Sequence, residues 1–345
     1  MLKWTVEIPA PPVAGAAPVS DASHVYVALR TGQIIARSNA DGAEAWQRDL
    51  ATERPLAVDG DLLFVAGADA IHALRGTDGA IAWEAAIAGV TAPLLAHGGW
   101  LIALSGGKAL AYRASDGTLV WQRDVGVANT RPAIDGDRLY VSTDEGRVLA
   151  MELTSGDPIW EQRLGAHPTE PFAWFGYVYV GGGDRQFYCL KAKDGEIAWR
   201  WRVGPILNTS ATADDARVYF IGLDNVLRGL DRVTGVQQWQ AGLKRRPASG
   251  PVVMQKWVLV PSSTSAEIWI WTAEGRSAAI IPTPAEPAVV PEFIESPAGS
   301  AKVYVITGSL ARVWQLTLVE TAGDPPAVAL TGMPGTPVSV ELPRQ

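Results

Sequence analysis

The sequence predicts an all-β protein built from repeated four-stranded units, and three observations lead to that prediction. First, a turn glycine is followed four residues later by a tryptophan in six copies, at a period of 37–40 residues. Second, each period holds four short apolar runs separated by Gly/Asp turns. Third, no stretch keeps a 3.6-residue periodicity, so we expect few helices. The six copies are Gly42/Trp46, Gly79/Trp83, Gly117/Trp121, Gly156/Trp160, Gly195/Trp199 and Gly235/Trp239.

The unit that ends at Trp160 shows the four runs, at residues 131–134, 139–142, 148–153 and 159–164. We interpret them as strands A, B, C and D of an antiparallel meander. The second run is apolar at every position in several units, as in residues 177–180 and 218–221. A strand that does not alternate is covered on both faces, which one four-stranded sheet cannot achieve alone. Sheets stacked around an axis can, so the sequence predicts a β-propeller.

Seven units cover residues 12–282, and an eighth set of runs follows at 286–290, 303–306 and 313–316. That set lacks its fourth strand, whereas Trp4–Ile8 matches a D strand and has no blade of its own. We therefore predict a single eight-bladed β-propeller over residues 1–320, closed by the N-terminal strand 3–8. The alternative is that residues 327–330 form strand D of blade eight. Residues 321–345 are expected to be an irregular tail, with room for one hairpin at 338–340.

The repeated tryptophans are predicted to be structural. An indole on the outermost strand can lie across the gap to the next blade and dock on its turn. A seventh copy has Gly275 but carries Ala279 in place of the ring. The predicted docking residues are Trp4, Trp46, Trp83, Trp121, Trp160, Trp199 and Trp239.

The composition excludes several classes of function. The formal charge is −7, which argues against nucleic-acid binding, because a phosphate-binding protein presents a basic face. The single cysteine, Cys189, rules out a disulfide framework. No apolar run reaches the roughly 18–20 residues of a membrane span. Four scattered histidines lack metal-ligand spacing, so we expect no metal site and no catalytic residues.

The mouth of the central channel is the candidate binding site. Most units place a proline where the chain enters strand A, preceded by a charged residue and, two residues before the proline, by a hydroxyl residue. One interpretation is a charged funnel for a peptide or a small polar ligand. The other is that the threonines tie strand ends together and the charges pair across solvated loops. The candidate residues are Arg54, Arg131, Glu170, Glu286, Thr130 and Thr169.

The Gly-x-x-x-Trp repeat resembles the tryptophan-docking motif of the pyrroloquinoline-quinone-type (quinoprotein-like) propellers, and the chain is similar in length and blade count to their BamB-like members. The resemblance covers residues 3–320. Dehydrogenases of this family hold the quinone beside a disulfide of adjacent cysteines, with a calcium ion bound by Glu, Asn and Asp. Because Cys189 stands alone, the resemblance implies a non-catalytic member without a cofactor.

BamB-like members are exported lipoproteins that bind the barrel-assembly protein through loops on one face. This chain departs from them in having no N-terminal cysteine and no long loop insertion. We expect a monomeric scaffold that docks a protein partner in a multiprotein assembly, through the segments leading into the A strands and the B–C turns. The alternative is a quinone-dependent oxidoreductase or quinone sensor. The resemblance implies a periplasmic location. The chain as written shows no export signal, so a cytoplasmic location is the expectation if the chain is complete.

Overall fold

The computed structural model describes residues 2–165, 167–203, 211–254, 256–295, 301–308 and 314–321. The secondary structure of these residues consists of β-strands alone, and the strands form eight four-stranded antiparallel sheets. The innermost A strands of successive blades contact one another around the central axis. The predicted all-β, eight-bladed propeller is therefore confirmed.

Strand β1 (Leu2–Ile8) comes first in the chain and is followed by blades one to four. Their strands, in the order A to D, are β2 (Val19–Ser20), β3 (His24–Ala28), β4 (Gln33–Ser38) and β5 (Glu44–Asp49); β6 (Ala57–Asp59), β7 (Leu62–Ala66), β8 (Ala70–Arg75) and β9 (Ile81–Ala86); β10 (Leu95–His97), β11 (Trp100–Ser105), β12 (Lys108–Arg113) and β13 (Leu119–Asp124); and β14 (Ala133–Asp135), β15 (Arg138–Ser142), β16 (Arg147–Glu152) and β17 (Pro158–Arg163).

Blades five to eight complete the ring. Their strands are β18 (Phe172–Trp174), β19 (Tyr177–Gly181), β20 (Gln186–Lys191) and β21 (Ile197–Arg202); β22 (Thr212–Ala213), β23 (Arg217–Ile221), β24 (Val226–Asp231) and β25 (Gln237–Gly242); β26 (Val252–Met254), β27 (Trp257–Pro261), β28 (Glu267–Thr272) and β29 (Ser277–Pro282); and, in blade eight, β30 (Glu292–Glu295), β31 (Ala301–Thr307) and β32 (Trp314–Thr321), with β1 as strand D.

The N-terminal strand closes the ring, as predicted. Strand β1 pairs antiparallel with β32, with Trp4 opposite Leu318 and Ile8 opposite Trp314. It is therefore the outermost strand of blade eight. The rival segment 327–330 and the proposed hairpin at 338–340 lie outside the described residues, as do positions 322–345 of the predicted tail.

The predicted position of strand A in blade eight was wrong. The sequence placed it at 286–290, but the strand is β30, at Glu292–Glu295. Pro287 instead forms an isolated bridge with Thr307, in the segment that precedes the strand. Residues 286–290 resemble a strand because Val289 is buried in the core between blades eight and one. The proline that immediately precedes strand A is Pro291.

The B strands are buried on both faces because each contributes to two cores. In β15, Leu139 and Val141 pack with residues of blade three, whereas Tyr140 packs with residues of blade five. All three side chains are fully buried. The hydrophobic cores of this protein therefore lie between blades, and the stability of each sheet depends on its neighbours.

Each repeated tryptophan docks on the C–D turn of the next blade. The indole Nε1 of Trp121 donates a hydrogen bond to the Leu153 carbonyl at 2.8 Å. Its ring covers Gly156, where a Cβ would lie 2.6 Å from the ring atoms, so only glycine allows this approach. The other docking pairs, from indole Nε1 to carbonyl oxygen, are Trp4–Asn39, Trp46–Gly76, Trp83–Ala114, Trp160–Ala192, Trp199–Arg232 and Trp239–Ala273.

The exception, Ala279, also has a structural explanation. A tryptophan on β29 of blade seven would dock on the C–D turn of blade eight. In that blade strands C and D are β32 and β1, which are not consecutive in the chain, so no C–D turn joins them. Gly275 is still needed, because it receives the ring of Trp239.

We predict that Trp121→Ala lowers the free energy of unfolding by about 3–5 kcal/mol, because it opens a cavity between blades three and four and leaves the Leu153 carbonyl without its donor. Val120→Ala is the matched control on the same strand. Since Val120 is 42% exposed, its truncation should cost less than about 0.5 kcal/mol. Denaturant unfolding of both variants checks this, and equal costs would contradict the docking role.

Candidate functional site

The two faces of the ring differ in construction. The turn face carries the A–B turns and the tight Asp-Gly C–D turns. In one of these, the Asp116 carboxylate accepts hydrogen bonds from the Thr118 amide and the Arg113 guanidinium. The Thr118 hydroxyl, the Thr118 amide and Arg113 lower the pKa of Asp116 to about 2. The loop face carries the B–C turns and the longer segments that lead from each D strand into the next A strand. We call these the D–A segments.

The D–A segments are fixed to the ends of the B strands. Isolated bridges join Pro12 to Leu29, Val90 to Ser105 and Pro247 to Ser262. Thr169 makes such a connection with both its backbone and its side chain. Its amide donates to the Gly181 carbonyl at 2.8 Å, and its Oγ1 accepts from the Gly181 amide at 2.9 Å. Thr169 therefore ties two strand ends together.

Three of the predicted site residues have unpartnered polar groups. Thr130 Oγ1 and Arg131 Nε are buried without a hydrogen-bond partner among the described residues. The guanidinium of Arg54 also has no hydrogen bond or ion pair within that part of the chain, and it is partly buried. Arg54 and Arg131 each precede the proline that leads into an A strand. By the pairing of strands A and B, Arg54 lies three residues before Ala57, whereas Arg131 lies two residues before the equivalent Ala133. The two arginines of blades two and four are therefore one position out of register.

The two acidic candidates are placed differently. Glu170 is partly buried and lies two residues before Phe172, the first residue of β18. By the strand pairing it is in register with Arg131 and one position away from Arg54. Glu286 is exposed and lies six residues before β30, because strand A of blade eight begins later than the sequence indicated. Glu286 is therefore not in register with the other candidates. Binding by these residues stays a prediction.

A basic loop on the same face was missed. Lys244, Arg245 and Arg246 are exposed, and among the described residues none of their side chains has an ion pair or hydrogen bond. The Ser263 amide and hydroxyl both donate to the Arg246 carbonyl, at 2.9 and 3.1 Å, which holds the loop in place. This is the one run of three consecutive basic residues in the chain, so charge patterning alone could have found it.

Glu292 was also missed. It is the first residue of β30, lies opposite Tyr304, and receives a hydrogen bond from the Ser20 amide of blade one at 3.0 Å on Oε1. Its Oε2 is buried without a partner, as are Ser20 Oγ and Tyr304 Oη. The equivalent residues of the other blades, identified by the same pairing with strand B, are Val19, Ala57, Leu95, Ala133, Phe172, Thr212 and Val252.

Burial governs the ionisation of Glu292. It raises the pKa of this carboxyl to about 8, against the opposing effect of the hydrogen bond from the Ser20 amide. The group is therefore mostly protonated at neutral pH. A comparison of the repeats would have revealed this position, but only once strand A of blade eight had been placed correctly.

The remaining reactive groups are dispersed. No three His, Cys, Asp or Glu side chains of the described residues are close enough to hold a metal ion. His72 pairs with Glu84 at 2.9 Å, in the outer part of blade two. Cys189 is fully buried, and burial raises the pKa of its thiol far above the ordinary value. The loop face thus offers unpartnered cations and a hydroxyl, which suit recognition of anionic or polar groups.

The sequence profile of the family described as outer membrane protein assembly factor BamB matches residues 2–173 and 171–280. The chain belongs to this BamB family. Outer membrane protein assembly factor BamB of Yersinia pestis is 31% identical over 123 residues, which cover 33% of this chain and 31% of that protein. The matched segment thus spans about a third of that relative.

Solved structures agree with the propeller of the BamB family. BamB from Moraxella catarrhalis superimposes with a TM-score of 0.71 at 19% identity, covering 92% of this chain and 99% of that one. Quinohemoprotein alcohol dehydrogenase from Comamonas testosteroni gives 0.70 at 13% identity, covering 99% and 78%. At these identities both similarities concern the fold alone. None of the described residues forms a helix long and apolar enough to cross a membrane.

We predict that Glu292→Gln removes a pH dependence of stability. The pKa in the folded state is raised, so the unfolded chain loses this proton near pH 4.5 and the native chain only near pH 8. Wild-type stability should therefore fall relative to the variant across that window, by at most about 1.4 kcal/mol per pH unit, and then level off. Denaturant unfolding between pH 4 and 9 measures this. The exposed control, Glu286→Gln, should keep the wild-type profile, and identical profiles for all three proteins would contradict the assignment.

Proposed function

We propose that this chain is a non-catalytic scaffold that binds a protein partner through its loop face, as part of an assembly at the bacterial outer membrane. Membership of the BamB family supports the class of function and a location in the cell envelope. The rigid ring supports the role of scaffold, since binding residues on propellers lie in loops held by a fixed framework.

The observation that carries the proposal is the group of unpartnered cations on the loop face. The guanidinium of Arg54 and the Nε of Arg131 have no partner among the described residues. The basic loop Lys244–Arg246 adds three exposed cations on the same face. These cations contrast with the formal charge of the whole chain, which is −7. They suit a partner segment that presents carboxylates.

The conformation of the loop face favours binding without large rearrangement. Hydrogen bonds hold the backbone near each group: Thr52 Oγ1 accepts from the Arg54 amide and donates to the Ala66 carbonyl at 2.8 Å. The Asp144 amide donates to the Val127 carbonyl, four residues before Arg131, and the Pro247–Ser262 bridge adjoins the basic loop. A partner therefore does not have to order these segments, which lowers the entropic cost of association. We propose that the propeller acts as a single copy within its assembly.

We predict that Arg54→Ala with Arg131→Ala reduces recovery of the partner at least tenfold, because each charged hydrogen bond contributes about 1.5–3 kcal/mol. The measurement is quantitative affinity purification from the native source, using wild type and variant side by side. The control is Arg75→Ala with Arg113→Ala, two exposed arginines on the turn face. Equal recovery by the two double variants, at matched melting temperature, would rule out the loop face as the binding surface.

A quinone-binding function is the second candidate, because the dehydrogenase of Comamonas testosteroni shares the fold over nearly the whole chain. The single buried thiol of Cys189 is a reason to rank it second. We predict that pyrroloquinoline quinone with calcium causes no saturable quenching of the protein's tryptophan fluorescence. Free tryptophan at equal absorbance controls for inner-filter loss. Saturable quenching with a defined stoichiometry would favour the quinone-binding candidate instead.

A further inference from the structure

The A–B turn of blade five differs from the corresponding turns of other blades. Four two-residue A–B turns are described in full, and in three of them the first residue is a glycine with a left-handed φ: Gly60 at 63°, Gly98 at 59° and Gly136 at 61°. In blade five this residue is Phe175, with a φ of 45°. Bulky side chains rarely adopt this conformation, and such outliers cluster at functional sites. The repeats thus act as an internal control, and they mark Phe175 as the exception.

This strained turn exposes aromatic surface. Phe175 is 60% exposed and Trp174 is 36% exposed, and their rings meet edge to face at 5.0 Å. Trp174 is the last residue of β18, so the aromatic surface begins beside the channel. Val233 and Val236, in the C–D turn of blade six, are 50% and 63% exposed. They extend the apolar surface outward.

Arg232 joins the two turns. Its guanidinium lies over the rings of Phe175, at 5.5 Å, and Tyr177, at 5.9 Å, and its Nε donates to the Asp215 carbonyl. Its own carbonyl accepts the docking hydrogen bond of Trp199 and another from the Tyr179 hydroxyl. The surface formed by Trp174, Phe175, Tyr177, Arg232, Val233 and Val236, which we call the aromatic turn patch, is therefore held rigid before any partner arrives.

The charge around the aromatic turn patch indicates what it binds. The neighbouring turn segments 135–138, 152–157, 191–196, 214–217 and 231–236 carry nine carboxylates and five cationic side chains. This acidic border repels a second copy of the same face and attracts a basic segment. Exposed aromatic rings accept both apolar side chains and the cations of Lys or Arg.

We propose that the aromatic turn patch is a second protein-binding site, on the face opposite the proposed partner surface, and that it takes a segment with a large apolar side chain flanked by basic residues. The strain at Phe175 is accounted for by this role, since glycine in the sibling turns forms the same hairpin without presenting a ring. The scaffold would then hold two partners, one on each face of the ring.

The test is a titration of the full chain with capped peptides, followed by calorimetry and by the indole NMR signal of Trp174, assigned with Trp174→Phe. The probes are a basic apolar peptide (KALFAK), its acidic counterpart (EALFAE) and a peptide without the apolar centre (KAGGAK). We expect saturable binding of the first peptide alone. Phe175→Gly should weaken it at least tenfold while leaving the melting temperature unchanged or higher, because glycine relieves the strained turn.

The control variants separate this site from other effects. Leu223→Gly removes a 47% exposed side chain from a B–C turn of the loop face and should bind the peptide as wild type does. Arg54→Ala with Arg131→Ala should also bind it normally, so failure of the loop-face proposal would leave this result unaffected. Wild-type affinity in Phe175→Gly, a preference for the acidic peptide, binding of no peptide, or self-association through the patch would each overturn the proposal.

Discussion

The docking of an indole on a glycine of the next blade is the contact on which the ring depends. In each case the missing Cβ lets the ring lie directly on the turn, and the indole N–H is satisfied by a turn carbonyl. In six of the seven pairs the same ring also packs inside its own blade against an aromatic residue of strand B, as Trp160 does against Tyr140 with centroids 5.9 Å apart. One side chain therefore links a sheet to its own core and to its neighbour, so burial and hydrogen bonding stabilise the same interface.

Blade eight, next to its seam with blade one, is the place where the ring is completed by strands that are distant in the chain. Strand β1 carries Trp4 to Gly42 of blade one and pairs with β32 of blade eight. This seam is also where a carboxyl, Glu292, stands in a position that seven other blades give to apolar residues or threonine. The cost of burying that group falls on blade eight, the blade that depends on pairing between strands from distant parts of the chain. Stability and closure are thus coupled to its protonation.

The two faces of the ring diverge for a physical reason. Each C–D turn has to receive an indole, so its shape and its glycine cannot vary without losing the docking contact. The D–A segments receive no indole and are constrained only by their contacts with strand B. They carry the unpartnered cations. Phe175 shows that the turn face is less uniform than its repeated motif indicates, because A–B turns receive no indole and can therefore change.

Repetition made much of this protein predictable from its sequence. The period, the blade count, the Gly/Trp docking pairs and the closure by residues 3–8 all follow from local patterns that recur, and recurrence separates a true signal from a chance one. The candidate site stays a prediction: Arg54, Arg131 and Thr130 were singled out by their spacing to the prolines before strand A, and binding by them is for experiment to decide. Thr169 ties its D–A segment to Gly181 at the end of strand B.

What the sequence could not determine depends on contacts between segments that are distant in the chain. Strand A of blade eight was misplaced because burial of Val289 between two blades gives a loop the composition of a strand. Glu292 and Ser20 meet only at closure of the ring, and Arg232 reaches Phe175 only because blades five and six are stacked. Periodicity determined the blades of this protein, because each blade is formed by consecutive residues. Tertiary structure alone decided which side chains meet between blades, because packing, not sequence order, brings them together.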